Sequence, residues 1–269
     1  MSKNSTSPTR PQKPMESRIG WSNEHDIRIY GLNLMQDLMG KQDLGAMAFL
    51  ELTSRLPTPS ESVLVNAMLV ALVEHGITPS ALATRMTYYG APESLQGAVA
   101  AGLLGLGNVF VGTIEGSAKM LQESLADAGD TPDFAALATE LVNKFRAAKQ
   151  ILPGFGHPIH RPDDPRALRL LELAREQGHA GKYVQLLLAV SAEADRQFGK
   201  HLVLNVTGMI GAIASELDIS WRYARGLGIM ARAVGLIGHI REELERPIAP
   251  EIWVRVGDEA VQKLRADEE

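Results

Sequence analysis

Two histidines of this chain lie where an imidazole could do chemistry. His157 follows a Gly-x-Gly turn in the segment PGFGHP, and His75 ends an apolar stretch in the segment VEHG. Glycines leave backbone N–H groups open to a ligand, so we expect Gly154 and Gly156 to offer theirs. Histidine often transfers protons in enzymes. A turn histidine and a histidine that caps a helix C-terminus are the structural alternatives.

The composition excludes several classes of function. The 269 residues include no cysteine, which rules out thiolate catalysis, cysteine-ligated zinc and disulfides. The net charge is -5 without a block of like charge, so we expect no nucleic-acid partner. No set of histidine, aspartate and glutamate has ligand spacing, so we predict no metal. His25, His179 and His201 have contexts typical of surface or loop histidines.

The elements that must position His75 and His157 are helices. Only IRIYG, from Ile27 to Gly31, has the pattern of a short strand. Capping residues and apolar periodicity predict helices after it, with N-caps at four positions: Ser60, Thr131, Asp164 and Ser220. The fold class is therefore all-α.

Residues 1–16 are polar and proline-rich without an apolar core segment, and we interpret them as a disordered lead. No apolar run reaches the length of about 18–20 residues that a membrane helix needs. We therefore expect a cytoplasmic protein without a membrane partner.

Five segments together resemble the citrate synthase superfamily. PGFGHPIHRPDDPRA is similar to its G-[FI]-G-H-x-[VI]-x-x-x-x-D-P-R motif, and LVEHGITPSALATR to its A-D-H-G segment. GLGNVFVGTIEGSAKML, LVLNVTGMIGAIASEL and IMARAVGLIGHIREE follow in the family's order. The likeness runs from Ile27 to Trp253 and is greater to citryl-CoA lyases and to the C-terminal lyase module of ATP-citrate lyase than to the longer synthases.

The resemblance implies a helical fold in the short lyase form. A large helical domain would comprise residues 17–110 and 206–269, and a small helical domain residues 111–205. Family members join or split a carbon–carbon bond between an acyl-CoA and a 2-oxo acid such as oxaloacetate. They use a coenzyme A thioester as substrate, so we expect no cofactor.

The resemblance also implies roles for individual residues. His75 would stabilise the enolate at the thioester carbonyl. His157 would donate to the keto oxygen of the oxo acid, or take up the hydroxyl proton in the other direction. Arg166 and Arg232 would hold substrate carboxylates, for which a planar guanidinium is well suited. The family usually draws one such arginine from a partner subunit, which implies a homodimer. The predicted CoA-binding loop is Pro153, Gly154, Phe155 and Gly156.

The chain departs from the family pattern at two places. Thr207 replaces the aspartate that moves the proton of the acetyl methyl group, and a hydroxyl is no base near neutral pH. Losing a positioned acid–base group costs about 10²–10⁴ in rate. Glu74 and Glu115 are the nearest carboxylates by motif. Pro158 replaces a common arginine, for which the following residues, His160 and Arg161, could compensate.

The leading hypothesis is a lyase that cleaves citryl-CoA, or a related 3-hydroxy-3-carboxyacyl-CoA, to acetyl-CoA and oxaloacetate or a related oxo acid. One alternative is a citrate-synthase-like acyltransferase that works in the condensing direction. A second is a CoA-ester-binding protein whose catalysis is weakened by Thr207. A third alternative is a helical scaffold that binds no small molecule.

Overall fold

The computed structural model describes residues 14–268, of which most are helical. Of the predicted disordered lead, residues 1–13 lie outside the described residues. The all-α prediction is confirmed, since helix accounts for 64% of the described structure. The chain divides into two compact units, one ending at Leu56 and the other beginning at Pro57.

The first unit contains a small antiparallel sheet of three strands. Its strands are β1 (Gly20–Ser22), β2 (Ile27–Ile29) and β3 (Leu32–Asn33), paired in that order. The strand predicted in IRIYG is thus confirmed as β2. Tyr30 and Gly31 both have positive φ, 48° and 82°, as a tight two-residue hairpin requires. A π-helical turn (Leu34–Leu38) and helix α1 (Leu44–Thr53) follow.

The second unit contains ten helices among its described residues. They are α2 (Pro59–Val73), α3 (Pro79–Gly90), α4 (Leu95–Leu104), α5 (Gly112–Leu125), α6 (Phe134–Ala147), α7 (Pro165–Glu176), α8 (Lys182–Phe198), α9 (Val206–Glu216), α10 (Trp221–Glu245) and α11 (Ala249–Glu268). Across residues 14–268, we find no helix long and apolar enough to cross a membrane.

Helix α9 is the core of this unit. Met209, Ile210 and Ile213 are fully buried, and α9 packs against α5, α7 and α8. A helix that is apolar on every side has to be surrounded by others. The N-terminus of α9, which carries Thr207, is therefore held firmly among its neighbours. Helix α10 packs against α2, α3 and α5 and completes this framework.

Two predicted N-caps are wrong and two are confirmed. Thr58, not Ser60, caps α2, because its hydroxyl accepts from the backbone of Glu61 while the Glu61 carboxylate accepts from the backbone of Thr58. Asp133, not Thr131, caps α6 through two backbone N–H groups. The predicted caps of α7 and α10 are confirmed.

Candidate active site

The loop before α7 is tied to the segment that leads into α9. The backbone N–H of Gly156 donates to the Val203 carbonyl at 2.7 Å, and the Asn205 side-chain amide donates to the Gly156 carbonyl at 2.8 Å. The Asn205 backbone N–H donates to the Gly154 carbonyl at 3.0 Å. The expectation that Gly156 offers a free N–H to a ligand is therefore wrong, because the ladder to Val203 already uses it.

Glycine is required at position 154 by both conformation and space. Its φ is +86°, a left-handed value that side chains rarely adopt. A Cβ atom there would lie 2.5 Å from the Cα of Gly208, in the first turn of α9. The loop thus rests directly on the helix terminus that carries Thr207, and it brings His157 to the same place.

The local hydrogen bonds of His157 determine which ring nitrogen faces the site. Its Nδ1 accepts from the backbone N–H groups of Ile159 at 3.1 Å and His160 at 2.9 Å. We assign the proton of the neutral ring to Nε2 on that basis. The Nε2 atom lies 3.2 Å from Nη2 of Arg166. A guanidinium nitrogen can only donate, so with the ring proton on Nε2 this contact is not a hydrogen bond. The two N–H groups are instead adjacent donors that can share one anionic or carbonyl oxygen.

The charge state of His157 follows from its surroundings. Burial lowers the pKa of His157 below its ordinary value, and the nearby rings and the Arg166 guanidinium lower it further, against the opposing charge of Asp164. The neutral imidazole is therefore the favoured form. A neutral ring with Nε2–H is suited to hydrogen-bond donation.

Three histidine rings meet at this place. The ring centroids of His75 and His157 are 5.7 Å apart, and His160 lies 4.3 Å from His157 in a stacked arrangement. His160 also lies 5.9 Å from His75, with its ring edge-on. The structure thus brings together the two histidines predicted from sequence, although His75 lies in the loop after α2 and not in its last turn. It adds His160 to them.

The three rings have one nitrogen each within 4.8 Å of the others, a set that in principle could bind a metal ion. Spacing along the chain did not reveal this set. Its chemistry fits a metal poorly, because a ligating histidine usually donates its second ring N–H, whereas Nδ1 of His157 accepts. The nearly parallel rings of His157 and His160 also do not converge on one point, since their planes differ by only 28°.

Asp164 holds Arg166 next to His157. Its carboxylate is fully buried, caps α7 and accepts from Nε of Arg166 at 3.0 Å and Nη2 at 2.9 Å. It also accepts from the backbone N–H of Val206 at 2.9 Å, which joins α7 to α9. Burial alone would raise the pKa of Asp164, but the bonds from Arg166 and Val206 outweigh it and hold that pKa below its usual value.

Arg232 on α10 is a buried cation with unsatisfied donors. Only 8% of it is exposed, and its Nε and Nη1 atoms have no hydrogen-bond partner among the described residues. Burial lowers the pKa of Arg232, and the charge of Glu74 opposes this while that of Arg166 adds to it. Buried donors without partners are costly. This guanidinium is therefore placed to receive an anion.

Thr207 is engaged in a network of neutral groups. Its hydroxyl donates to Oδ1 of Asn205 at 2.6 Å and accepts from the Thr113 hydroxyl at 2.7 Å. The same Asn205 oxygen caps α9 by accepting from the Thr207 and Gly208 backbone at 3.1 Å. Thr207 therefore lies near the His157 loop, but it contributes neither a charge nor a free lone pair suited to a base.

Neither carboxylate suggested by motif is free. Glu74 accepts from the backbone N–H groups of His75 at 2.8 Å and Gly76 at 2.6 Å, and from Nε2 of His239 at 3.1 Å. Burial would raise the pKa of Glu74, but the interactions with the His75 and Gly76 backbone and with His239 hold it below its usual value. Glu115 accepts from Nε of Arg225 at 2.9 Å.

Sequence reasoning missed a buried network behind His75. Arg85 is 1% exposed and donates to Nδ1 of His239 at 3.1 Å and to Glu243 at 2.8 Å, and it also pairs with Glu242. Through His239 the network reaches Glu74 and so the backbone of the His75 loop. Its only sequence signal was His239 within the segment LIGH, which apolar periodicity does not single out.

An apolar cavity of about 220 Å³ adjoins the predicted CoA loop. Phe155 and Gly156 form part of its wall, next to side chains from the C-terminal ends of α6 and α8. Arg146 and Lys200 also line it and supply positive charge. The cavity can thus accept a ligand that is partly apolar and partly anionic.

Comparisons with known proteins agree on one family. The model for the citrate synthase C-terminal domain matches residues 28–251. Among solved structures, the chain is similar to citryl-CoA lyase from Hydrogenobacter thermophilus, with a TM-score of 0.79 and 35% identity. That likeness covers 87% of this chain and 88% of that chain.

The sequence identity to curated proteins is lower, and those proteins are longer than this chain. A probable ATP-citrate synthase of Dictyostelium discoideum is 27% identical over 205 residues, 70% of this chain and 32% of that protein. A citrate synthase of Synechocystis is 27% identical over 215 residues, 76% of this chain and 50% of that protein. The chain therefore spans about a third of the length of the ATP-citrate synthases that it matches.

Proposed function

Because this chain belongs to the citrate synthase family, we propose that it is an acyl-CoA carbon–carbon lyase of the citryl-CoA lyase type. It cleaves citryl-CoA, or a related 3-hydroxy-3-carboxyacyl-CoA, to an acyl-CoA and a 2-oxo acid. The observation that carries the lyase proposal is the likeness to citryl-CoA lyase over 87% of this chain and 88% of that one.

The histidines stabilise charge on two oxygens in this proposal. His157 donates from Nε2 to the oxygen on the carbon that becomes the keto group. His75 stabilises the oxygen of the thioester as the enolate forms. Their ring centroids, 5.7 Å apart, are at a separation that fits two oxygens of one substrate molecule. The neutral Nε2–H form of His157 supports the donor role.

The arginines hold the carboxylates of the oxo-acid half. Arg232 has two buried donors without partners among residues 14–268, and a carboxylate is the anion that fits a planar guanidinium best. Arg166 adds Nη1, for which the described part of the chain provides no partner, while Asp164 fixes its other nitrogens. The charge of Arg166 disfavours the protonated form of Arg232, and a bound dicarboxylate relieves this repulsion.

Coenzyme A lies along the loop Pro153–Gly156 in this proposal. The adjoining apolar cavity can take part of the CoA moiety, and Arg146 and Lys200 can meet its phosphates. The active protein is a homodimer in which the partner subunit supplies a further arginine, as the family pattern implies. Light scattering coupled to size-exclusion chromatography tests the dimer directly.

The decisive experiment mixes the pure protein with citryl-CoA and follows acetyl-CoA, with oxaloacetate measured through coupled malate dehydrogenase. His157→Ala should lower kcat by about 10²–10⁴. His179→Gln is a matched control, since His179 contacts Ser60 at 3.1 Å and lies outside the histidine cluster. Absence of cleavage by the wild type, with citryl-CoA still bound, would reject the lyase proposal.

One observation favours a second candidate function. Thr207 lies where the family has its proton-transferring aspartate, and its hydroxyl is already engaged by Asn205 and Thr113. A CoA-ester-binding protein with weakened catalysis would show this arrangement. Thr207→Asp distinguishes the two, because it should raise the activity of a weakened enzyme and lower that of an enzyme adapted to threonine.

A further inference from the structure

The proton route is the part of the reaction that the family pattern leaves open in this chain. Cleavage has to remove the hydroxyl proton and deliver a proton to the α-carbon of the acyl-CoA. We propose that His160 is a further catalytic residue that carries this proton between the hydroxyl oxygen and the α-carbon. The inference rests on the proposed function.

The position of His160 follows from the two rings beside it. In a citryl-CoA-type substrate, the α-carbon lies between the thioester carbonyl, held by His75, and the carbon that bears the hydroxyl, held by His157. The His160 ring lies 5.9 Å from the His75 ring and 4.3 Å from the His157 ring. One ring nitrogen of His160 also lies within 4.8 Å of a ring nitrogen of His75 and of His157, which places it within reach of a substrate held by both.

His160 is also the group whose nitrogens are available. Its ring is half-buried and has no hydrogen-bond partner in the part of the chain that the structure describes. Its backbone N–H donates to Nδ1 of His157 at 2.9 Å, which sets the position of the residue without using the side chain. An imidazole accepts and releases a proton near neutral pH.

The other candidates for this role are engaged. The Glu74 carboxylate accepts three hydrogen bonds, Glu115 is paired with Arg225, and Asp164 is fully buried against Arg166. His157 itself presents Nε2–H, because its Nδ1 lone pair accepts two backbone N–H groups. The base that takes the hydroxyl proton therefore has to be another group.

A single imidazole is sufficient to carry the proton through the whole reaction. His160 removes the hydroxyl proton as the carbon–carbon bond breaks, and the electron pair of that bond passes to the α-carbon and its thioester as an enolate. The hydroxyl-bearing carbon becomes the keto carbon of the oxo acid. The His160 imidazolium then gives the same proton to the α-carbon, which yields the acyl-CoA and regenerates neutral His160. No oxidant, reductant or further proton is needed.

The test compares His160→Ala and His160→Gln with the wild type in two assays. The first is citryl-CoA cleavage, and the second is exchange of the acetyl-CoA methyl protons with deuterium in D₂O, read by mass spectrometry. Both variants should lose about 10²–10⁴ in both rates. His179→Gln, the matched histidine control, should match the wild type. Binding of acetyl-CoA should be retained, and thermal unfolding should change only by the small contribution of the ring stacking on His157, since the described residues offer the His160 ring no hydrogen bond to lose.

A double variant separates proton transfer from a merely structural role. Thr207→Asp introduces a carboxylate at the position where the family has its base. In the His160→Ala background it should raise the rate about tenfold or more, because the carboxylate would carry the proton in place of the missing imidazole. A structural defect at position 160 would not be repaired by a carboxylate at position 207.

Each result has a definite meaning. Wild-type cleavage together with undiminished cleavage and exchange by both His160 variants would overturn the inference and leave the proposed function standing. Loss of both rates without rescue by Thr207→Asp would also overturn it, because it would assign His160 to support of the site. A wild type that neither cleaves nor exchanges would overturn the proposed function and the inference together.

Discussion

Two buried arginines in the same helical unit have opposite surroundings. Arg85 is 1% exposed, and its guanidinium is bonded to His239, Glu243 and Glu242. Arg232 is 8% exposed, and two of its nitrogens have no partner among the described residues. Both carry a charge that water would otherwise solvate. The first is satisfied by the protein itself, whereas in the proposed function a substrate carboxylate satisfies the second.

In the proposed function, Arg85 is a structural cation and Arg232 is a substrate-binding cation. Helices α3 and α10 meet at Arg85, and the network continues through His239 to the loop of His75. The charges of Glu74 and Arg166 both act on Arg232, and among the described residues no carboxylate is hydrogen-bonded to its Nε or Nη1. Burial of a charged group alone therefore does not indicate function. The proposed carboxylate site rests instead on the two buried Arg232 donors that have no partner among the described residues.

The largest expected effect is on stability and follows from breaking the Arg85 network. Arg85→Met leaves the carboxylate of Glu243, which is 5% exposed, without its cation. Removing one partner of a buried ion pair costs about 3–5 kcal/mol. Equilibrium urea unfolding measures the loss. Arg241→Ala removes an exposed ion pair to Glu245 on the same helix and should change the free energy of unfolding by less than about 0.5 kcal/mol.

At Arg232 we expect a substitution to raise the free energy of unfolding instead of lowering it. Arg232→Met removes a buried cation with unpaired donors, so the free energy of unfolding should rise by about 1–3 kcal/mol. The same change should weaken oxaloacetate binding by about 1.5–3 kcal/mol, the usual contribution of a hydrogen bond to a charged group. Urea unfolding and isothermal titration calorimetry report the two effects. Destabilisation of the size expected for Arg85→Met would instead make Arg232 a structural residue.

The smallest expected effect on stability is at His201, whose ion pairs are exposed whereas that of Arg85 with Glu243 is buried. His201 contacts Asp195 at 2.6 Å and Asp163 at 3.1 Å, and these hydrogen bonds raise the pKa of His201 above its ordinary value. A pKa that is higher in the folded than in the unfolded state stabilises the folded protein. This stabilisation is complete at pH values below the unfolded-state pKa of about 6.5. That stabilisation disappears as the pH rises through the folded-state pKa.

His201→Gln should therefore lower the free energy of unfolding near about pH 5.5 and leave it nearly unchanged near about pH 9. The loss should stay below about 1 kcal/mol, because the His201 side chain is 44% exposed and water screens the pair. Urea unfolding at the two pH values measures it. A larger loss at the alkaline value would contradict the assigned direction of the pKa shift.

Local patterns predicted the helices well, since their causes lie within a few residues. Asp164 followed by Pro165 marked the start of α7, and the structure confirms this cap. The errors at α2 and α6 have the same local origin. Each segment offers two polar residues near the start, and the N-cap is the one whose side chain reaches the free backbone N–H groups.

The candidate site was predicted only in part. Motifs identified His75, His157, Arg166 and Arg232, and the structure brings the two histidines together. They did not indicate that His160 would stack on His157, that Gly156 would use its N–H in a ladder, or that Glu74 would bond to His239. Each of these contacts depends on how separate segments lie against one another.

The sequence by itself determined the fold class, the helix positions and the family, because caps, apolar periodicity and motifs are properties of short stretches of chain. Only the tertiary structure decided which polar groups satisfy one another. Arg85 and His239 are 154 residues apart in the chain, and their bond exists because α3 and α10 pack together. The same packing provides no partner for the Nε and Nη1 of Arg232 among the described residues. Desolvation makes that difference large, since a buried donor without a partner costs far more than an exposed one.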